Sequence, residues 1–407
     1  MNCRHCDAPL KLTFIDLGSA PPSNAYLTER DLKRPERWFP LRVLVCSECW
    51  LVQTEDYAGA DEIFTEDYAY FSSFSTTWLE HCKKYVDTMT KRFNLHSHSL
   101  VVELAANDGY LLQYVAARNI PCIGIEPTAS TAASARQKGI EIIEKFFGVS
   151  LAREMTHQGQ HADLLVANNV LAHVPDINDF VSGVAFLLKP TGVATFEFPH
   201  FLNLVAHNQF DTIYHEHYSY LSLHVVTRIF ASNGLSVFDV EELPTHGGSL
   251  RVYAQRKDGP HPSSESVAKL LEREQSAGLP RTEYYTGFQV RSDQAKNDFL
   301  TFLLQAKHAG KKIAAYGAAA KGNTLLNYAG VRPDLIPYVV DKNASKQGKF
   351  LPGSRIPITS EERIRLEQPD YIVVLPWNIR EEVTTDLAYA REWGAQFVTA
   401  IPQLHVT

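Results

Sequence analysis

The stretch DTIYHEHYSY, residues 211–220, gathers three tyrosines, two histidines, one glutamate and one aspartate into ten positions. His215 and His217 take up or release a proton near neutral pH, ionised Glu216 only accepts hydrogen bonds, and Tyr214, Tyr218 and Tyr220 offer phenolic donors. Such a set suits proton abstraction, metal binding or sugar recognition. Metal hydrolysis in the manner of H-E-x-x-H is disfavoured, because that motif puts its histidines one helical turn apart, whereas His215 and His217 are two residues apart and diverge on a helix. On a strand they would share a face, but no third ligand is evident.

The elements that must carry these groups can be read on either side. From 98 to 127 the chain runs HSLVVELAANDGYLLQYVAARNIPCIGIEP, which predicts strand, loop, helix and strand: an apolar run over 100–104, a turn over 105–109 and helical spacing over 110–118. A lone Gly109 after a strand is a weak signal, since ELAANDG is not G-x-G-x-x-G and a turn glycine explains it equally well. Glu126, 23 residues after Glu103, strengthens it, because an acid ending the second strand is placed to accept both ribose hydroxyl hydrogens. IEII, DLLVANNVLAHV and GVATFEFPHF continue the strand rhythm, and SLHVVTRIFASNG predicts a helix capped by Ser222 and stopped by Gly234. LSVFDVEEL and SLRVYAQR then predict a hairpin. Five alternating units followed by a hairpin resemble the plan of class I S-adenosylmethionine-dependent methyltransferases.

Outside this unit, Cys3 and Cys6 form one C-x-x-C and Cys46 and Cys49 another, as VCSECW. Two such knuckles deliver four thiolates to a tetrahedral structural zinc, provided that an inserted loop or strand pair fills the long spacing between them. Cys82 and Cys122 are expected to be packed thiols. After the charged, serine-containing RKDGPHPSSESVAKLLEREQSAG, a linker into helices, KKIAAYGAAAKGNTLL predicts strand, small-residue turn and helix, YVVDKN a strand ending at Asp341, and YIVVLPW another. Gly317 and Gly322 do not complete a dinucleotide fingerprint, so a second cofactor such as NAD is less favoured than a substrate diphosphate held by Lys321, Asn323 and the turn's amides. Tight packing of strand against helix is the plainer alternative.

The 407 residues favour two or three domains, and a composition of 45% hydrophobic and 21% charged residues is that of a globular protein. A net charge of −7 without a dense basic block argues against nucleic acid as partner. Without an apolar run of spanning length or a signal-peptide core, a cytoplasmic location and no membrane association are expected.

In combination and order, ELAANDGYLL, NNVLAHVPDINDF, TFEFPH, YHEHYSYLS, THGGSLRVY and YGAAAKGNTLLN, with the cysteine pairs, resemble the sugar C-methyltransferases of nucleotide-deoxysugar pathways, above all the C-3 enzymes. The resemblance covers nearly the whole chain. It implies an α/β protein with an N-terminal zinc-binding domain (1–66), a central class I methyltransferase Rossmann-like fold (67–257) and a C-terminal Rossmann-like domain that helps hold the nucleotide sugar (258–407). The implied reaction removes a proton beside the ketone of a 4-keto-6-deoxy sugar and methylates the enolate carbon from S-adenosylmethionine. His217 is the leading base, with Glu216 orienting it or binding a hydroxyl, Tyr214 donating to the oxyanion, and His173 and Tyr68 as further polar partners; His173 and Tyr214 remain alternative bases. Glu103, Asn107, Gly109, Glu126 and Asn168 are expected around S-adenosylmethionine, and Lys321, Asn323, Arg251 and Asn378 around a nucleotide-linked keto-deoxysugar, with dTDP the expected carrier. C-3 or C-5 as the methylated carbon, the stereochemistry and the oligomeric state, a monomer included, stay open. An RNA methyltransferase with a zinc ribbon, expected to bind RNA in a salt-sensitive way, and a non-catalytic nucleotide-sugar-binding protein are the competing readings.

Overall fold

Three strands open the chain: β1 (Leu12–Ala20), β2 (Phe39–Val45) and β3 (Val52–Thr54), each antiparallel to the next. They belong to a computed structural model that describes residues 1–57 and 71–407; Tyr68 lies outside the described residues. β1 and β2 are the strand pair that fills the interval between the two cysteine knuckles. The knuckles are built alike. The Asp7 amide donates to the Cys3 carbonyl at 3.0 Å and the Trp50 amide to the Cys46 carbonyl at 2.9 Å. Both closing residues take the left-handed conformation, with φ of 60° and 66°.

The central sheet has seven strands in the order β10-β11-β8-β7-β4-β5-β6. Five run parallel: β4 (Val101–Leu104), β5 (Cys122–Ile125), β6 (Glu141–Ile143), β7 (Ala162–Asn168) and β8 (Leu188–Pro199). The chain then gives the two-residue β9 (Ser219–Tyr220), and the antiparallel hairpin β10 (Leu235–Leu243) and β11 (Ser249–Arg256) closes the sheet beside β8. Alternation sorts each strand's residues onto two faces. Val102, Leu104, Leu165 and Ala167 pack with the helices Ile177–Leu187 and Leu223–Ser232, while Val101, Leu164 and Val166 pack with the helix Thr76–Arg92. As its sequence predicts, the helix Leu223–Ser232 has Ser222 Oγ accepting from the Val225 amide and Gly234, φ +85°, just past its end. The strand order reverses between β4 and β7, so a crevice opens at the carboxyl ends of these strands.

Six strands form the C-terminal sheet in the order β14-β13-β12-β15-β16-β17: β12 (Ile313–Tyr316), β13 (Val339–Val340), β14 (Ile358–Thr359), β15 (Tyr371–Val374), β16 (Gln396–Thr399) and β17 (His405–Val406). Five are parallel and β17 is antiparallel. The N-terminal strands are not a free-standing appendage. Phe14 of β1 stacks on Phe288 at 4.4 Å, at the start of the helix Phe288–His308, and Ile15, Leu17 and Val43 share a core with Phe299, Leu326 and Val339. The cysteine end packs instead on the methyltransferase side, where Cys3, Cys46, Cys49 and Leu51 join the core of Leu221 and Leu223. β9 pairs with β3, Val52 opposite Tyr220 and Gln53 opposite Ser219, so the segment rich in histidine and tyrosine ends as the fourth strand of the N-terminal sheet.

Candidate active site

Between the 3-10 turn Phe210–Thr212 and β9 the chain makes an irregular loop, closed by the His217 amide donating to the Tyr214 carbonyl at 2.9 Å. His217 Nδ1 lies 2.9 Å from the Thr212 carbonyl. A carbonyl only accepts, so Nδ1 carries the hydrogen and Nε2 keeps its lone pair. The backbone around the ring is fixed from the N-terminal sheet: Thr54 Oγ1 donates to the His217 carbonyl at 2.6 Å and the Thr54 amide to the Tyr218 carbonyl at 3.1 Å. The Tyr214 ring lies over His217 with centroids 4.0 Å apart, and His173 meets it edge-on at 4.7 Å. His173, Tyr214 and His217 are thus brought together as expected.

The same loop sends its other histidine elsewhere. His215 Nε2 approaches the Phe39 and Pro40 carbonyls at 3.3 and 3.2 Å, away from the partner of His217. Glu216, buried, accepts from Asn24 Nδ2 at 2.8 Å on both oxygens. Asn24 was not foreseen; it sits in a loop after β1, and only the folded sheet brings it here.

The opposite wall comes from the C-terminal sheet. Lys321 Nζ donates to Asn378 Oδ1 at 2.7 Å and lies 4.7 Å above the Trp377 ring, whose Nε1–H donates to Asp211 Oδ2 at 2.8 Å. Trp377 also closes on Gly247, where a Cβ would come within 2.4 Å of the indole, so glycine is required there. The neighbouring His246, held at φ 55°, accepts from Asn169 Nδ2 at 3.3 Å. His246, Asp211 and Trp377 are the site residues that sequence reasoning missed, although each stands in or beside a stretch noted for its composition. Asn323 is placed otherwise than expected for a diphosphate ligand, because its Nδ2 donates to the Ser23 carbonyl at 2.6 Å and the residue is buried. Arg251 is similarly engaged: it donates to Glu197 at 2.8 and 2.6 Å and to Glu241 at 2.9 Å, while His81 holds the other Glu197 oxygen at 2.9 Å.

Burial sets the electrostatics. Desolvation, helped by the nearby His173, His246 and Lys321, pushes the His217 pKa well below its ordinary value. Desolvation also takes His173 and His246 down to about 4, and lowers Lys321 against the attraction of Asp211, whose own carboxyl burial raises to about 6. These shifts make stability depend on pH. Below about 6.5 the unfolded chain protonates the three imidazoles while the folded one does not, each contributing about 1.4 kcal/mol per pH unit. Asp211 works in the opposite sense, because its folded form takes up a proton first. The net expectation is a loss of stability as pH falls from 7 to 5, read as a drop in urea midpoint; a flat or rising midpoint over that window contradicts three neutral buried histidines.

At the crevice, the residues expected around the cofactor lie at or just after the carboxyl ends of β4, β5 and β7. Gly109, φ +75°, lets the first loop pass where a Cβ would meet Ile140 at 2.4 Å. Glu126 accepts from the Asn107 and Thr128 amides, both at 2.9 Å, which orients the carboxylate and leaves lone pairs for a diol. Glu103 is fully buried at the end of β4, and desolvation holds its carboxyl well above the usual range. Asn168, buried at the end of β7, has neither amide atom partnered among the described residues. A polar molecule in this crevice therefore meets a built surface, and the residues fit S-adenosylmethionine.

The four sulfurs of Cys3, Cys6, Cys46 and Cys49 all lie within 4.8 Å of one another, with Cys3–Cys49 and Cys6–Cys46 at 3.5 Å. Thiolates about 2.3 Å from one tetrahedral metal stand about 3.8 Å apart, so the cluster fits zinc. Gln53 Nε2 donates to Cys3 Sγ at 3.2 Å and steadies it from β3. Among the described residues no other group of histidine, cysteine or acidic side chains is gathered closely enough to hold a metal.

The sheet order, the glycine turn after β4 and the acid after β5 define an S-adenosylmethionine-dependent methyltransferase of class I, joined to a four-cysteine zinc site. Comparison with known proteins agrees. Residues 3–64 match the model of a "zinc binding domain", 78–240 that of a "Methyltransferase domain" and 244–402 that of a "C-methyltransferase C-terminal domain". The C-methyltransferase NovU of Streptomyces niveus is 34% identical over 404 residues, covering 99% of this chain and 96% of that protein. The chain belongs to this family of C-methyltransferases. Among solved structures, the PH0226 protein of Pyrococcus horikoshii OT3 aligns with 48% of this chain and 100% of its own at 15% identity and a TM-score of 0.40. Magnesium protoporphyrin IX methyltransferase of Synechocystis PCC 6803, solved with bound S-adenosylmethionine, aligns with 44% of this chain and 79% of its own, at 17% and 0.34.

Proposed function

We propose that the enzyme methylates C-3 of a nucleotide-linked 4-keto-6-deoxy sugar, with dTDP as carrier, through an enolate. The observation that carries this reading is His217: a neutral imidazole whose Nδ1–H is fixed on a carbonyl, whose Nε2 is left as a base, and which lies among polar rings. Carbon methylation needs a carbon nucleophile, and the hydrogen beside a ketone is one that an imidazole can remove. S-adenosylmethionine supplies an electrophilic methyl group on its sulfur. In this reading Glu126 holds the cofactor ribose, with Glu103, Asn107, Gly109 and Asn168 around the rest. Tyr214 and His173 donate to the substrate, and Glu216, steadied by Asn24, orients the loop or takes a sugar hydroxyl. Lys321 and Asn378 face the nucleotide sugar from the C-terminal side, while Arg251 acts through its ion pairs with Glu197 and Glu241 on the central sheet and Asn323 by tying the Ser23 loop to the C-terminal side. Residues 1–66 hold zinc, 67–257 the cofactor and 258–407 part of the substrate. Among the described residues no helix is long and apolar enough to cross a membrane, and four thiols gathered for a metal suit a reducing compartment, so we place the enzyme in the cytoplasm.

Incubation with labelled S-adenosylmethionine and a panel of nucleotide-linked keto and reduced sugars tests this. Label is expected in the 4-keto-6-deoxy sugars alone, at C-3 by NMR. Transfer to a reduced sugar removes the enolate, and label at C-5 moves the reacting carbon.

A further inference from the structure

Lys321 is set up for a different task from the one its place in GAAAKGN suggests. A diphosphate seated on the small-residue turn would need the turn's amides, but the Ala318 amide already donates to Asp341 Oδ2 at 2.8 Å. The Ala318 carbonyl is covered by the Tyr26 hydroxyl at 2.5 Å and Lys346 Nζ at 2.9 Å, and Gly317 is pressed so close to Pro376 that a Cβ would come within 2.5 Å of that ring. The turn is closed, and a carboxylate stands where an anion would approach.

The Lys321 side chain instead leans on the Trp377 ring, with one ammonium hydrogen on Asn378 and two more to give. Trp377 links it to the base. The indole Nε1–H is held by Asp211, and the turn Phe210–Thr212 that carries Asp211 also presents the Thr212 carbonyl to His217 Nδ1. The far edge of the same indole packs on Gly247, next to His246. Lys321 thus stands near enough to His217 and His246 for its charge to act on both, in surroundings of three imidazoles kept neutral, where a positive charge suits a developing oxyanion.

We propose that Lys321 is a catalytic residue whose ammonium receives the ketone oxygen of the substrate as that oxygen becomes an enolate beside His217. The assignment rests on the keto-sugar reading above. Nε2 of His217 takes the proton from the carbon next to the ketone, the C–H pair becomes the C=C bond, and the carbonyl π pair moves onto oxygen against Lys321. When the carbon displaces the sulfur from the methyl group, the enolate oxygen returns its pair to restore C=O, the C–S pair stays on sulfur, and the proton remains on His217 until it passes to solvent. Lys321 keeps its proton throughout, so its role is charge and not acid catalysis. Asp211 is a positioning residue, acting through Trp377.

The test uses the whole enzyme, a dTDP-linked 4-keto-6-deoxyhexose and S-adenosylhomocysteine in heavy water, with loss of the exchangeable proton followed by NMR and sugar affinity by calorimetry. Lys321→Met is expected to slow exchange at saturating sugar by about 10²–10³-fold, and methyl transfer equally, because one preorganised oxyanion donor is worth that much. Sugar affinity is expected to change by no more than a few-fold. Lys321→Arg, which keeps the charge, is expected to recover most of the loss, and Lys321→Gln replaces Lys321→Met if the latter does not fold. Undiminished exchange at saturation, or a loss confined to sugar affinity, overturns the assignment and makes Lys321 a binding residue. Absence of exchange in the wild type overturns the keto-sugar reading and this assignment with it, whereas rapid wild-type exchange unchanged in the variants overturns the Lys321 assignment alone.

Discussion

His217→Asn is expected to lower methyl transfer by about 10²–10⁴-fold, the range for loss of a general base, while cofactor affinity stays within about two-fold of wild type. The substitution is nearly isosteric where it matters. An asparagine Nδ2 can still donate to the Thr212 carbonyl, and the clamp from Thr54 engages only backbone, so the loop keeps its shape. What disappears is the Nε2 lone pair. The variant should also lose proton exchange next to the ketone. Because burial holds the wild-type imidazole well below its ordinary pKa, the acid limb of kcat/KM should lie below pH 6.5. Full turnover in the variant would transfer the base role to His173 or Tyr214.

Removal of the metal, or Cys46→Ser, is the other large effect. The protein should carry about one zinc, and the variant should lose it together with the folding free energy that such sites supply, about 10 kcal/mol or more in small zinc domains. The loss cannot stay local. β3 begins at Val52, three residues after Cys49, with the Cys46 amide donating to the Leu51 carbonyl just before it, and the strand pairs with β9, so slackening the second knuckle releases Thr54 from His217 and Tyr218. Turnover should therefore fall with zinc content even though the metal takes no part in the reaction, and S-adenosylmethionine should still bind at the crevice. Zinc analysis, thermal melting and single-turnover rates on one preparation decide the matter. Metal-free protein with unchanged melting temperature and rate would sever the link.

The parts of this architecture written in local pattern were legible beforehand. The strand at Val101–Leu104, the helix between Ser222 and Gly234, the closing hairpin and the two cysteine knuckles each follow from a periodicity or a spacing a few residues wide. What escaped depends on pairs far apart in the chain. β9 is two residues long and gains its identity from β3, where Tyr220 pairs with Val52 and Ser219 with Gln53 across separations of 168 and 166 residues. Asn24 meets Glu216, and Trp377 meets Asp211, across comparable distances. Lys321 shows how a local pattern misleads: small residues at a helix start suggest an anion site, but here Gly317 and Gly322 serve close packing on Pro376 and Leu375.

The shared core of β1 and the helix Phe288–His308 bears on biogenesis. Phe14 and Phe288 are 274 residues apart, so at about 5–20 residues per second the first must wait about 14–55 s on the ribosome for the second. During that interval the apolar face of the β1–β2 hairpin lacks most of its cover, since the earlier-made Phe201, 5.3 Å from Phe14, supplies only part of it. The two cysteine knuckles, by contrast, are complete once residue 49 has emerged. Zinc captured then would pin the ends of the hairpin in register and hold its sticky face in a defined shape until the far half of the chain arrives, which makes the metal a chaperone-like brace for the nascent protein as well as a fastening in the finished one.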